Sequence, residues 1–225
     1  MQFGEYLGKH GTIDWDEHRK RQERNSMERI WFISDTHFGH KNILNFCPNT
    51  RIGKTIEEHD EKLIHQWQSL IMPNDRVYHL GDFFFCNSDR AMSIMDRLPG
   101  QIHLIYGNHD KVIKSNKTLR DRFVAIHDYH ELNLDGIKVI LFHFPILEFY
   151  QIHRGAFHLY GHVHGNKDTH PVVLSQRMMD AGVDGRANGE TQDNGAMSPW
   201  SWDQVKRILL TRPIGTHHDK TIGDM

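Results

Sequence analysis

From residue 29 onward, the chain alternates between short apolar runs and longer amphipathic segments. The runs at 29–34, 76–80 and 102–106 are rich in β-branched and aromatic residues, which is typical of buried strands. The segments at 55–71 and 88–98 carry apolar residues at helical spacing, and each is closely followed by a proline. Strands that are separated by helices usually pair in parallel, so this half of the chain predicts an α/β sheet.

The pattern changes beyond residue 122, where strands follow one another with little helix between them. Asp135-Gly136 separates two of these strands and is a typical two-residue hairpin turn. Ser201, followed by Gln204, predicts a capping box at the start of the last helix. The glycine-rich segment 184–199 predicts a loop that lies over a functional site. The predicted strands of this half are 123–126, 129–134, 137–142, 157–160 and 177–183.

Charge and length divide the chain into one domain and two tails. Residues 1–28 are dominated by charge and predict an exposed N-terminal arm, residues 29–211 are expected to form the domain, and residues 212–225 predict a C-terminal tail. A chain of 225 residues with 38% hydrophobic residues is long enough to bury one sizeable core. No apolar run has the length of a membrane span or the character of a signal peptide, so we expect a cytoplasmic protein without a membrane partner.

Composition limits the partners and cofactors that the chain is expected to bind. The net charge of −2 provides no basic surplus, so nucleic acid is not the favoured partner. Cys47 and Cys86 do not form a Cys-x-x-Cys pair, and we expect them to be packing residues in a reducing compartment. The chain contains 19 histidines, and neutral imidazole is the commonest metal ligand in proteins.

Side chains that can bind metal follow five of the predicted strands, at the point where each apolar run ends. Each cluster alone is a weak signal, because an Asp-x-His or a Gly-Asp occurs by chance. Together they are hard to explain as ordinary surface residues, because a sheet can aim functional groups into a cleft at the carboxyl ends of its strands. The clusters are Asp35 with His37, Asp82, Asn108 with His109 and Asp110, His143, and His162 with His164.

This succession of motifs resembles that of the calcineurin-like metallophosphoesterase family. The family pattern is Asp-x-His, Gly-Asp, Gly-Asn-His followed by Asp or Glu, a later His, and Gly-His-x-His. The resemblance covers residues 29–211, and the compact length is similar to that of small stand-alone bacterial and phage members. It implies an α/β sandwich in which two β-sheets are flanked by helices. The matching segments here are Asp35-Thr36-His37, Gly81-Asp82, Gly107-Asn108-His109-Asp110, His143 and Gly161-His162-Val163-His164.

The resemblance also implies a dinuclear metal centre. The two ions would share Asp82, because a carboxylate has two oxygens and can bridge two cations about 3.5–4 Å apart. Nitrogen and oxygen donors without sulfur suit Mn²⁺, which the family suggests first, and also Fe, Zn²⁺, Ni²⁺ or Co²⁺. The implied ligands are Asp35, His37, Asp82 and His164 for one ion, and Asp82, Asn108, His143 and His162 for the other.

The implied activity is hydrolysis of a phosphoester by a hydroxide held on the metal pair. His109 corresponds to the catalytic histidine of the family, and we expect it to protonate the leaving group and to contact the phosphate. Asp110 is expected to orient His109, as a carboxylate orients an imidazole. Asn108 and His40 are further expected substrate contacts, His40 because it follows Asp35 by only five residues.

The expected substrate is a small phosphodiester, such as a nucleotide or a cyclic nucleotide. Phosphomonoesterase and nuclease activities are alternatives, and so is a catalytically silent scaffold, although every ligand position of the family pattern is filled. Protein serine/threonine phosphatases of the family extend Gly-Asp by Asp-Arg-Gly. Here Gly81-Asp82 continues as Phe83-Phe84-Phe85, which argues against a protein phosphatase. Packing accounts for most of the aromatic residues near these motifs, and one that lay at the rim would stack on a base or another planar leaving group. The candidates are Phe83, Phe84, Phe85, Phe144, Phe149 and Tyr150.

Overall fold

The computed structural model describes residues 28–167, 169–185 and 197–216. Most of the predicted N-terminal arm, much of the predicted loop 184–199 and the end of the predicted tail lie outside these ranges. The strands are Ile30–Ile33 (β1), Arg76–His79 (β2), Gln101–Ile105 (β3), Ala125–His127 (β4), Tyr129–Leu134 (β5), Ile137–Phe142 (β6), Phe157–Tyr160 (β7), Met178–Asp180 (β8) and Trp200–Ser201 (β9). The α-helices are Ile43–Phe46 (α1), Ile56–Leu70 (α2), Ser88–Met95 (α3), Lys111–Ser115 (α4), Lys117–Arg120 (α5), Pro171–Leu174 (α6) and Trp202–Leu209 (α7), and Ile152–Arg154 forms a 3₁₀ turn.

The first sheet has the strand order β4-β3-β2-β1-β9. Strands β1 to β4 are parallel, and the short β9 pairs antiparallel with β1 at one edge. Because α2 lies between β1 and β2 in the chain, and α3 between β2 and β3, these connections are the crossovers that the sequence pattern predicted. The carboxyl ends of β1, β2 and β3 therefore meet at the same edge of the sheet.

The second sheet has the order β5-β6-β7-β8. Strands β5 and β6 form the predicted hairpin, in which Asp135 (φ 52°) and Gly136 (φ 79°) both adopt the positive φ of a type I′ turn. Strands β6, β7 and β8 are parallel. A parallel bridge between Ser34 and Gly182 joins the ends of β1 and β8, so the two sheets approach each other where the metal-binding motifs lie.

Apolar side chains fill three layers, and they confirm the predicted sandwich of two sheets flanked by helices. Residues such as Phe32 from the first sheet and Leu159 from the second pack between the sheets, together with the apolar face of α7. Helices α2 and α3 cover the outer face of the first sheet, where Trp67 is fully buried. A smaller cluster that includes Tyr160 covers the outer face of the second sheet. Among the residues that the structure describes, no helix is long and apolar enough to span a membrane.

The predicted helix boundaries have recognisable causes. The side chain of Thr55 accepts a hydrogen bond from the backbone of Glu58 at the start of α2, and Ser201 and Gln204 form the predicted capping box of α7. Beyond α7, the side chain of Arg212 is buried and donates to backbone carbonyls at α6 and β8. The first residues of the predicted tail therefore pack against the second sheet.

Candidate metal centre

The loops that follow β1 and β2 run side by side, which brings their polar side chains together. The amides of Asp35 and His37 donate to the carbonyls of Gly81 and Asp82, each at 3.0 Å. Both loops thus extend the pairing of their strands by hydrogen bonds, and their motif residues lie next to each other at the end of the sheet.

Five of the predicted ligands adopt the left-handed backbone conformation, which is uncommon for residues other than glycine. Such conformations cost on the order of 1–3 kcal/mol each, and they cluster at functional sites. A connecting loop would not need this strain, so the surrounding structure holds these residues in place for another purpose. The five are Asp35 (φ 56°), His37 (φ 47°), Asp82 (φ 57°), His162 (φ 71°) and His164 (φ 50°).

The glycines of the motifs permit the loops to approach one another. A Cβ atom on Gly107 would overlap the carboxylate of Asp82, and one on Gly161 would overlap the side chains of Ser34 and Asp35. Any larger residue at either position would displace a carboxylate of the candidate centre.

Asp35, His37 and His164 form the first group of donor atoms. Nε2 of His37 lies 3.7 Å from Oδ1 of Asp35, and Nε2 of His164 lies 3.9 Å from the same oxygen. Donor atoms that bind one cation at about 2.1 Å lie roughly 3–4 Å apart, so these separations suit a shared ion.

Asp82, His143 and His162 form the second group, together with Asn108. Oδ1 of Asn108 lies 3.0 Å from Nε2 of His143 and 3.1 Å from Nδ1 of His162. Nδ1 of His143 lies 2.7 Å from the carbonyl oxygen of Leu80, to which it donates. That hydrogen bond fixes the tautomer and leaves Nε2 of His143 free to bind a cation.

Asp82 lies between the two groups. Its Oδ2 atom is 3.6 Å from Nε2 of His37 and 3.5 Å from Nε2 of His143. Its Oδ1 atom accepts the amide of His109 at 2.8 Å, which fixes the plane of the carboxylate. A carboxylate in this position can contact a cation in either group.

The charge state of the two carboxylates favours cations. Burial alone would raise the pKa of Asp35, but the neighbouring imidazoles, above all that of His37, lower it well below its usual value. Burial is the largest effect on Asp82 and would raise its pKa, but the hydrogen bond and charge of His143 and the amide of His109 together outweigh it, so that the pKa is lowered. Both carboxylates are therefore ionised at neutral pH.

Buried polar atoms without hydrogen-bond partners test whether these residues fit a metal ion. Within the described ranges, Oδ1 of Asp35 and both ring nitrogens of His37 are buried and make no hydrogen bond. Leaving such an atom unsatisfied costs about 1–3 kcal/mol. A cation in the first group would coordinate Oδ1 of Asp35 and Nε2 of His37, so the residues present fit the metal ions that the sequence implies.

Asp184 and Arg51 support this centre, and sequence reasoning missed both roles. Nδ1 of His164 lies 2.7 Å from Oδ2 of Asp184, so this carboxylate orients the imidazole. The buried guanidinium of Arg51 forms two hydrogen bonds to Asp184 through Nε and a third through Nη2, and it also donates to the carbonyl of Asp35 at 2.6 Å. Burial alone would raise the pKa of Asp184, but Arg51 and His164 lower it to about 2.

Asp110 has other partners than the sequence suggested. Its buried carboxylate accepts hydrogen bonds from the amides of Gly107 at 2.7 Å, Phe83 at 2.8 Å and Asp82 at 3.0 Å. These bonds go to the backbone and not to the ring of His109, so the expectation that Asp110 orients that imidazole is corrected. Asp110 instead ties the loop after β3 to the loop after β2, which positions the amide of His109 against Asp82.

Two further residues lie at the centre without having been predicted there. Asp180 accepts the amides of Gly165 and Gly182, and it thus holds the loop that carries His162 and His164. Sγ of Cys47 lies within 4.8 Å of donor atoms of His164 and Asp184, although we expected a packing residue at this position.

Two of the predicted substrate contacts, His109 and His40, lie beside the first group. His109 is exposed, and its ring centroid lies 5.8 Å from that of His37. The ring of His40 lies 5.5 Å from His37, and burial lowers the pKa of His40 to about 4, so this ring is neutral at pH 7. The third, Asn108, is exposed and contacts the second group.

Fold and site together define a two-sheet α/β protein that carries a histidine and carboxylate centre at its strand ends. The family model of the calcineurin-like phosphoesterase superfamily domain matches residues 28–179. The chain therefore belongs to this superfamily, whose members are hydrolases of phosphoesters and typically bind divalent metals.

Individual relatives agree with this assignment. An uncharacterized protein of Methanocaldococcus jannaschii is 32% identical over 155 residues, which cover 68% of this chain and 79% of the archaeal protein. The gene 66 protein of Mycobacterium phage L5 is 34% identical over 87 residues, or 37% of this chain and 41% of that protein. The structure of AQ665 from Aquifex aeolicus, a protein of unknown function, is similar with a TM-score of 0.62 and 28% identity, over 80% of this chain and 99% of that one.

Proposed function

We propose that this protein is a dinuclear metal-dependent phosphodiesterase. The observation that carries the proposal is the position of Asp82, whose Oδ2 atom lies within 3.6 Å of one imidazole from each donor group. The first ion would be held by Asp35, His37, Asp82 and His164, and the second by Asp82, Asn108, His143 and His162. Bound there, two divalent cations would supply hydroxide at neutral pH and stabilise negative charge on the phosphoryl oxygens.

His109 is the group that this chain offers to the leaving oxygen. The hydrogen bond from its amide to Oδ1 of Asp82 holds it beside the centre, while the residue is exposed to solvent. An imidazole in this position can donate a proton to an alkoxide as the phosphorus–oxygen bond breaks. Such general acid catalysis contributes about 10²–10⁴ in rate, and most for a leaving group that is a strong base.

A diester fits the charges of the site better than a monoester. A phosphomonoester carries one more negative charge, and a free guanidinium or ammonium group would help to bind it. Arg51 lies behind the centre, but it is buried and bound to Asp184 and to two backbone carbonyls. It is therefore not available to a phosphate in the cleft. A phosphodiester also needs space on two sides of phosphorus, and both Asn108 and His162 are exposed.

The test compares a diester with a monoester on the same protein. Metal-stripped protein is incubated with Mn²⁺, Ni²⁺, Zn²⁺ or Mg²⁺, and the hydrolysis of bis-p-nitrophenyl phosphate and of p-nitrophenyl phosphate is measured. We expect the diester to be preferred with at least one metal, and the Asp82→Asn variant to lose this activity. Cleavage of the monoester alone would favour a phosphomonoesterase. Inertness towards both compounds with two cations bound would favour a silent scaffold.

A further inference from the structure

Two phenylalanine side chains are exposed at the metal centre, one beside each donor group. Phe85 is 43% exposed and Phe144 is 37% exposed. The neighbours of Phe85 in the run, Phe83 and Phe84, are almost completely buried. Core packing therefore accounts for two members of this aromatic run and leaves the third unexplained.

Phe85 lies on the side of the general acid. Its ring centroid is 5.4 Å from that of His109, 6.2 Å from that of His37 and 4.0 Å from that of His40. The hydrogen bond from the amide of Phe85 to the carbonyl of Phe38, at 2.8 Å, fixes its backbone to the loop after β1. The ring is thus positioned next to the histidine that would protonate the leaving group.

Phe144 lies on the side of the second donor group. Its ring centroid is 4.9 Å from that of His143 and 4.6 Å from that of His162, and it stands at 78° and 60° to these two rings. It directly follows His143 in the chain, so any shift of Phe144 would also disturb a predicted ligand. On its other side it contacts Phe142 at 5.7 Å.

We propose that Phe85 and Phe144 are two stacking subsites for a small phosphodiester that carries a planar ring on each side of the phosphorus atom. The proposal rests on the phosphodiesterase function and adds the orientation in which the substrate binds. Because Phe85 adjoins His109, it would stack on the ring of the leaving group. Phe144 would stack on the ring of the group that stays attached to phosphorus.

The chemistry of the substrate class follows from these rings and from the net charge. Aromatic side chains bind nucleobases by stacking with little regard for base identity, since every base has a π-face. A long polyanion would require a basic surface, whereas this chain has a net charge of −2. A dinucleoside monophosphate has the required pair of bases and a single diester charge.

The experiment uses dinucleoside monophosphates in which one base or the other is absent. The full-length protein is loaded with metal, and kcat/KM is measured for the complete substrate and for the two abasic analogues. Product analysis identifies the nucleoside that leaves. We expect the loss of either base to lower kcat/KM by roughly 5- to 100-fold in the unmodified protein.

Two leucine variants separate the subsites, because leucine keeps apolar bulk and removes the planar face. In Phe85→Leu, kcat/KM should no longer depend on the base of the leaving group but should still depend on the other base. In Phe144→Leu, kcat/KM should depend only on the base of the leaving group. Calorimetry with the product nucleoside monophosphate gives an independent readout, in which binding weakens in Phe144→Leu and stays unchanged in Phe85→Leu. Tyr150→Ala removes an aromatic residue that is 57% exposed and whose described ring contact is with Lys138, and it should change neither base dependence.

The outcomes separate this proposal from the one on which it rests. If kcat/KM fell equally for the complete and the abasic substrates in both variants, the stacking roles would be overturned, but the phosphodiesterase function would stand. A steady rise of kcat/KM with the length of an oligonucleotide would overturn the small substrate and indicate a nucleic acid strand. Inertness of the unmodified, metal-loaded protein towards bis-p-nitrophenyl phosphate would instead refute the proposed function itself.

Discussion

Replacing Asp184 by asparagine tests the part of the centre that the sequence motifs do not contain. The substitution preserves the shape of the side chain and removes its charge. It leaves the buried guanidinium of Arg51 without its carboxylate, and it weakens the acceptor for Nδ1 of His164, which lies 2.7 Å away. Stability and metal binding should therefore both decrease, for separate reasons.

The two effects have different magnitudes. Removal of one partner from a buried ion pair costs about 3–5 kcal/mol, because the remaining charge stays buried. In a protein of this size, each kcal/mol lowers Tm by about 2–4 °C, so we expect a decrease of roughly 6–20 °C in the metal-free protein. Loss of the carboxylate that orients a ligating histidine typically costs about 10- to 100-fold in metal affinity. Only the ion held by Asp35, His37 and His164 should show that loss.

The assay combines thermal unfolding of metal-free protein with calorimetric metal titration. The double variant Arg51→Met with Asp184→Leu is the matched control, since it removes both charges and retains apolar volume. It should recover most of the stability that Asp184→Asn loses, but not the affinity of the first ion. Unchanged unfolding and two unchanged metal affinities in Asp184→Asn would refute the reasoning.

Three further predictions follow from individual histidines. The variant His109→Ala should retain both metals and lose about 10²–10⁴ in rate on a diester with a basic leaving group, but far less on a p-nitrophenyl ester; metal analysis and kinetics on the same samples check this. His158 is buried and accepts the amide of Ile146 through Nε2, and burial lowers its pKa to about 4. The neutral imidazole therefore contributes about 3 kcal/mol to the free energy of unfolding, which is fully present above pH 6.5 and is lost as the pH falls towards 4. Urea unfolding of metal-free protein at several pH values measures this loss, with His158→Met as the control. Because His162 has a φ of 71°, His162→Gly should be more stable than His162→Ala by about 1 kcal/mol in the metal-free state, by the same unfolding measurement.

Each of these expectations has a contrary result. Full activity of His109→Ala on a diester with a basic leaving group would show that His109 is not the general acid. An identical pH profile in His158→Met and in the unmodified protein would show that this imidazole does not control acid stability. Equal stability of the two His162 variants would show that its left-handed backbone is not strained.

Much of the fold could be predicted because its signals are local. The apolar runs of β5, β6 and β7 end where the structure ends them, and the turn at Asp135 and the capping box at Ser201 depend only on adjacent residues. The candidate ligands can be predicted for the same reason. They lie directly after the apolar runs in the chain, so topology alone brings them to one edge of the sheets.

The supporting residues could not be predicted as readily, because their partners are distant in the chain. Arg51 and Asp184 are 133 positions apart, and neither lies in a periodic segment. A signal for Asp184 was nevertheless present, since it follows the predicted strand 177–183 just as the ligands follow theirs. Asp110 shows the opposite case: its place in the motif suggested a partner in the next side chain, whereas burial directs its carboxylate to three backbone amides.

The central claim is that Asp82 joins two cations into one centre. Electron paramagnetic resonance of the protein loaded with Mn²⁺ tests this directly, because two ions that share a carboxylate are magnetically coupled. We predict an exchange-coupled spectrum at two Mn²⁺ per chain, which is lost in Asp82→Asn. A spectrum of isolated Mn²⁺ ions at full occupancy of the unmodified protein would contradict the account.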